Sequence, residues 1–151
     1  MPFKKPKSIL LFSGIGTVLL LLAIFIVSYI QSKPISAAPS AQEIEQGAQI
    51  FLKNCKECHG EKAIGEDPKQ SKGGIKADGT YLAPALNGTG HAWHHPWDVL
   101  FQTIKNGSIA QDSAMRGFKG KLTDEEIKMV ILYIKSLWPE KIRTRYEKMM
   151  H

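Results

Sequence analysis

Residues 54–62 read NCKECHGEK and hold both cysteines of the 151-residue chain, Cys55 and Cys58, with His59 directly after the second. Two thiols and an imidazole within five residues form a compact set for attachment or ligation. The stretch before them is amphipathic: from about Gln42 to Lys53 and on to the first cysteine, Ile44, Ala48, Phe51, Leu52 and Cys55 share one helical face. What the thiols and the imidazole hold decides what kind of core the rest of the chain builds.

Four chemistries compete for the segment. A disulfide between Cys55 and Cys58 would close a very small loop and stabilise little. A thioredoxin-like redox pair belongs beside a βαβ pattern, and none is visible. Zinc takes four ligands, so Cys55, Cys58 and His59 would have to borrow from His91, His94 or His95. Covalent haem uses the segment as it stands. Two thiols add across the porphyrin vinyl groups while the adjacent histidine reaches the iron, and C-x-x-C-H is the attachment pattern of c-type haem. Haem is the reading adopted, with zinc the main competitor.

The formal charge of +6 belongs to the two ends. Lys4, Lys5, Lys7 and Lys33 flank an apolar run, Lys141, Arg143, Arg145 and Lys148 lie in the tail, and beyond residue 40 there are 16 Lys/Arg against 14 Asp/Glu. A nucleic-acid partner calls for a basic excess on the folded domain, so that class is set aside. Residues 9–30 contain no charged side chain. As a helix they extend roughly 33 Å, enough for a hydrocarbon core of about 30 Å. A cleaved signal has a shorter apolar region, although ISAAPSAQE offers small residues for cleavage. The length favours a single transmembrane anchor over 9–30 behind a cytoplasmic basic segment, 1–8. The lysines before the run place everything after Ile30 on the outer, periplasmic side. Residues 31–41, rich in Ser, Ala and Pro, read as a linker.

Two more helices follow. PWDVLFQTIKNG, residues 96–107, spaces Trp97, Leu100, Phe101 and Ile104 at i, i+3, i+4 and i+7, with Pro96 as its first position. LTDEEIKMVILYIKSLWP, residues 122–139, has Thr123 as cap, Glu126 three residues on and Pro139 as the stop. Between the first helix and these lies a Gly-rich stretch, 65–95, with no alternating β-branched run and no internal repeat. A loop of that length needs an organiser, and a large apolar cofactor would serve.

With these segments in place, the chain resembles the class I c-type cytochromes from Gln42 to Pro139. GAQIFLKNCKECHG resembles the family's first helix and haem turn, LAPALNGTG its following loop, and AMRGFKGKLTDEEIKMVILYIKSLWP its axial-methionine loop and last helix. The resemblance implies an all-α, cytochrome c-like fold over 42–139 around one covalent haem c, followed by a basic C-terminal tail, 140–151. It implies that Gly47 and Phe51 cross the last helix near Tyr133. It also implies that Cys55 and Cys58 hold the haem, that His59 and Met115 ligate its iron, and that the Pro84 carbonyl orients His59. Among the five methionines, only Met115 lies in a loop before the capped helix. Two departures are Ala83, where the family usually has glycine, and Arg116, where it usually has proline.

The function implied is electron transfer by a membrane-anchored carrier rather than an enzyme, with redox proteins and the lipid bilayer as partners. The cluster His91, His94 and His95 lies outside the family pattern. It reads as rings packed on the haem edge, or alternatively as a metal set in a larger oxidase or copper-handling assembly.

Overall fold

The computed structural model describes residues 16–26, 38–110 and 113–150. The chain divides into two units, Met1–Ala38 and Pro39–His151. In the first, residues 16–26 form a helix, α1, whose side chains are all exposed, Leu19 at 62% and Phe25 at 68% among them. Among the described residues no helix is long and apolar enough to cross a membrane. Much of the 9–30 span, all of the 1–8 segment and most of the 31–41 linker lie outside the described residues.

The second unit is built on helices. α2, Ala41–Asn54, starts from a capping box: the Ser40 hydroxyl accepts the Glu43 N–H, and the Glu43 carboxylate accepts the Ser40 N–H at 2.8 Å. The linker read from composition therefore runs into a helix start, because Ser40 and Glu43 together satisfy two amides that would otherwise lack partners. One turn, α3, Lys56–His59, continues from α2. α4, Trp97–Asn106, has Pro96 as its cap rather than its first helical residue and ends at Gly107, φ 95°. α5, Asp124–Ser136, has the Thr123–Glu126 capping box.

α2 and α5 cross where α2 has no side chain. A Cβ on Gly47 would overlap the Met129 carbonyl and lie 3.0 Å from the Tyr133 Cβ. One turn on, Phe51 is fully buried with its ring 5.3 Å from that of Tyr133. Ile127, Val130, Ile131 and Ile134 of α5 complete this core with Ile104 of α4.

The C-terminal segment corrects the sequence reading. Glu140–Met150 is a helix, α6, not a solvated tail. Ile142, Tyr146 and Met150 recur every fourth residue and pack against the core, and Tyr146 is only 4% exposed. Its ring lies 5.1 Å from that of Trp138, with the Lys135 ammonium 4.5 Å from its centroid and the Arg145 guanidinium 4.8 Å from Trp93. The charges of the segment occupy the remaining faces, so charge count concealed an apolar stripe.

The Gly-rich stretch contains 3-10 turns at Pro68–Gln70 and Ala92–His94, and an antiparallel hairpin, β1 Gly74–Ile75 with β2 Tyr81–Leu82. Asp78 accepts both the Thr80 N–H, at 2.9 Å, and its hydroxyl, at 2.6 Å, within the hairpin turn. The fold is thus helical with one minimal hairpin.

Candidate functional site

Main-chain bonds fix the segment that carries the cysteines. The Cys55 N–H donates to Phe51 O at 2.8 Å and the His59 N–H to Cys55 O at 2.9 Å, so the residues from 55 to 59 stay in helical register with α2. Gly60 then turns the chain at φ 73°, and Lys62 and Ala63 continue at φ 54° and 56°. Positive φ is unfavourable for side chains other than glycine, and neighbouring bonds hold these two there. Ala63 O accepts the N–H groups of Leu86 and Asn87, and Gly65 N–H donates to His59 O at 2.7 Å. A Cβ on Gly65 would stand 2.8 Å from Ala85 N, so glycine lets the two strands of chain meet. The cysteine turn and the segment around Pro84 are thereby stitched together.

One consequence is the orientation of His59. Its ring is 8% exposed and its Nδ1 lies 2.8 Å from Pro84 O. A carbonyl can only accept, so Nδ1 carries the hydrogen and Nε2 keeps a lone pair for a metal. Burial lowers the pKa of the ring, against the Pro84 carbonyl and the Glu66 charge, which favour protonation. The Cys55 thiol is pushed up to about 11, first by burial and then by the nearby Cys58. Reactive redox dithiols carry a depressed thiol pKa, and the Cys55 thiol is shifted the other way.

The functional residues meet around a cavity of about 730 Å³. That volume falls in the range of roughly 300–1,000 Å³ typical of sites for small molecules and cofactors. Cys55, Cys58 and His59 line it, as do Pro84 and Met115, so all five residues singled out from the sequence share its wall. Ile75, Tyr81 and Leu82 from the hairpin and Phe118 add apolar surface. Met115 is half-buried, and its segment is pinned to the end of α4: Ser108 N–H donates to Met115 O at 3.1 Å, and Gly107 bridges Arg116. An apolar cavity with two thiols, an imidazole with a free lone pair and a thioether on its wall suits a covalently attached haem.

The histidine cluster divides. His91 lines the cavity, whereas His94 and His95 do not. His94 packs on Trp93 with ring centroids 3.8 Å apart. Among the described residues no three His, Cys, Asp or Glu side chains are grouped to hold a metal ion, so the cluster does not form the metal set weighed above.

Sequence reasoning missed Glu66 and the hairpin. Glu66 accepts from Lys76 Nζ at 2.8 Å and from Ala83 N–H at 3.1 Å, which ties the hairpin to the cavity wall. A signal was present: Asp78-Gly79 between Ile75 and Tyr81 is a hairpin pattern, although its strands are too short to show alternation.

The family described as cytochrome c oxidase, cbb3-type, subunit III, matches residues 42–134. The chain is 30% identical over 140 residues to the cbb3-type cytochrome c oxidase subunit FixP of Bradyrhizobium sp. strain ORS 278, covering 90% of this chain and 42% of that protein. It is 29% identical over 115 residues to cytochrome c6 of Gracilaria tenuistipitata var. liui, covering 76% and 91% of the two chains. To cytochrome c6 of Nostoc sp. strain PCC 7120 it is 30% identical over 118 residues, covering 77% and 86%. The chain therefore spans less than half of the oxidase subunit and most of each cytochrome c6. With family match, relatives and cavity in agreement, the chain belongs to the cbb3-type subunit III family and is a class I c-type cytochrome, an electron-transfer protein with covalently bound haem c.

Proposed function

We propose that this cytochrome is a one-electron carrier with closed His/Met ligation, held at the outer face of a membrane by its N-terminal apolar segment. The observation that carries the reading is the shared cavity wall of His59, with Nδ1 bonded to the Pro84 carbonyl, and Met115. Haem c, when bound, supplies a ferric/ferrous couple whose potential a thioether ligand raises. Cys55 and Cys58 would hold the group through thioethers, and His59 would present Nε2 to the iron. Met115 would supply its thioether as the second protein ligand to the iron, which would leave no place for a substrate. Ile75, Leu82 and Phe118 give the cavity wall apolar surface to pack on the group.

The exposed apolar side chains of α1 and the uncharged run 9–30 support the anchor. Similarity to an oxidase subunit across 90% of this chain favours a membrane oxidase as the redox partner. The test is cyanide binding to the purified ferric protein together with reduction by a small donor. Fast reduction with slow cyanide binding is the expected result. Cyanide binding as fast as at an open haem would overturn the carrier reading in favour of a ligand-binding one.

A further inference from the structure

His91 is the one member of its cluster on the cavity wall. It is exposed at the rim and edge-on to His95, with ring centroids 5.7 Å apart. Thioether attachment fixes the vinyl edge of a haem, and its two carboxylates leave from the opposite edge. The cavity wall away from Cys55 and Cys58 must therefore meet two anionic groups. Lys72, Lys76, His91 and Arg116 are the wall's basic side chains beyond the cysteine turn. Lys76 is already paired with Glu66 at 2.8 Å. Of the other three, only an imidazole changes charge near neutral pH.

Resting on the haem site proposed above, we infer that His91 is the proton-responsive partner of a haem carboxylate and couples proton uptake to electron uptake. With haem c bound, uptake of one electron from the redox partner would be accompanied by uptake of one proton from solvent at the His91 imidazole, and oxidation would reverse both transfers. No ligand to the iron is made or broken.

The sign follows from charge. The ferric centre carries one more positive charge than the ferrous and disfavours the imidazolium, so the ferrous protein binds the proton more tightly. The potential must fall as pH rises between the ferric and ferrous pKa values, and must be level outside them. The groups facing His91 are His94 and His95 on its own turn, Lys72 beside it, and Arg116, Glu57 and the Lys76–Glu66 pair around the cavity. Burial first, then His95 and His94, lower its pKa against the Lys72 carbonyl. An adjacent carboxylate opposes that shift and returns the ring to the neutral range.

The experiment is a potentiometric titration of the full-length haem-loaded protein from about pH 5 to 8. The wild type should show a falling potential equivalent to about a tenfold difference in proton affinity, about 59 mV for one electron. His91→Gln should level the curve and His95→Gln should not. A level wild-type curve, or a slope that survives His91→Gln, overturns the inference. Ring resonances of His91 in the wild-type protein give a second measure should the variant fail to mature: a higher pKa in the ferrous than in the ferric state supports the coupling, and equal values overturn it. If covalent haem and the thioether signature are intact but the slope is absent, this inference alone falls. If the haem is not attached, the site reading falls first.

Discussion

Gly47 faces the Met129 carbonyl so closely that any side chain must push α2 and α5 apart. Gly47→Ala should lower the stability of the haem-loaded protein by about 3 kcal/mol, read from its denaturant midpoint, since overpacking a tight contact costs about that much. A loss comparable to an ordinary surface substitution would mean that the helices part without strain. The cysteines, His59 and Phe51 were legible from the residues themselves, as an amphipathic helix running into C-x-x-C-H, whereas the crossing at Gly47 came through family resemblance. Pro84 was reachable only through family resemblance, since it acts through its main-chain carbonyl and its side chain carries no sign of that bond. Glu66 escaped because its partners, Lys76 and Ala83, are 10 and 17 residues away and join it only in the fold. Its carboxyl pKa is lowered, chiefly by the hydrogen bond from Lys76. A depressed carboxylate helps stability above its unfolded pKa and loses that help as pH falls through the folded value. Hydrogen exchange at the Ala83 amide should therefore quicken as pH is lowered through that range, relative to the intrinsic rate, and Glu66→Ala should remove the pH-linked protection.

At the scale of elements, the helices with caps or strict periodicity were readable and α6 was not. Its four basic residues drew attention from Ile142, Tyr146 and Met150, whose spacing puts them on one face. Tyr146 tests the docking in two ways. Removing its ring, Tyr146→Ala, should cost about 3–5 kcal/mol, the usual price for an aromatic side chain lost from a core. Its hydroxyl is buried without a hydrogen-bond partner among the described residues. Deleting only that oxygen, Tyr146→Phe, should leave stability equal or improved, because an unsatisfied buried polar group is a cost in the folded state. A clear loss in Tyr146→Phe would instead reveal a partner for the hydroxyl. At α5, Thr123→Ala removes one half of the capping box and should cost about 1 kcal/mol in the same denaturant measurement. The hairpin was the least legible element, since strands of two residues cannot display a period of two.

For the whole molecule, the sequence implied a domain that needs a cofactor to organise its long Gly-rich stretch, and the structure gathers that stretch around the cavity. The convergence of Met115 with a turn some sixty residues earlier is a property of the fold, so periodicity alone had no means of showing it. The central claim is that Met115 and His59 together close the iron of an electron carrier. The most direct measurement is the weak charge-transfer band that a thioether gives to ferric haem toward the red end of the visible spectrum. The account predicts this band in the wild type, its loss in Met115→Ala together with a lowered potential and rapid cyanide binding, and its retention in His91→Gln, His94→Gln and His95→Gln. A band unaffected by Met115→Ala, or an iron opened by one of the histidine substitutions instead, would contradict it.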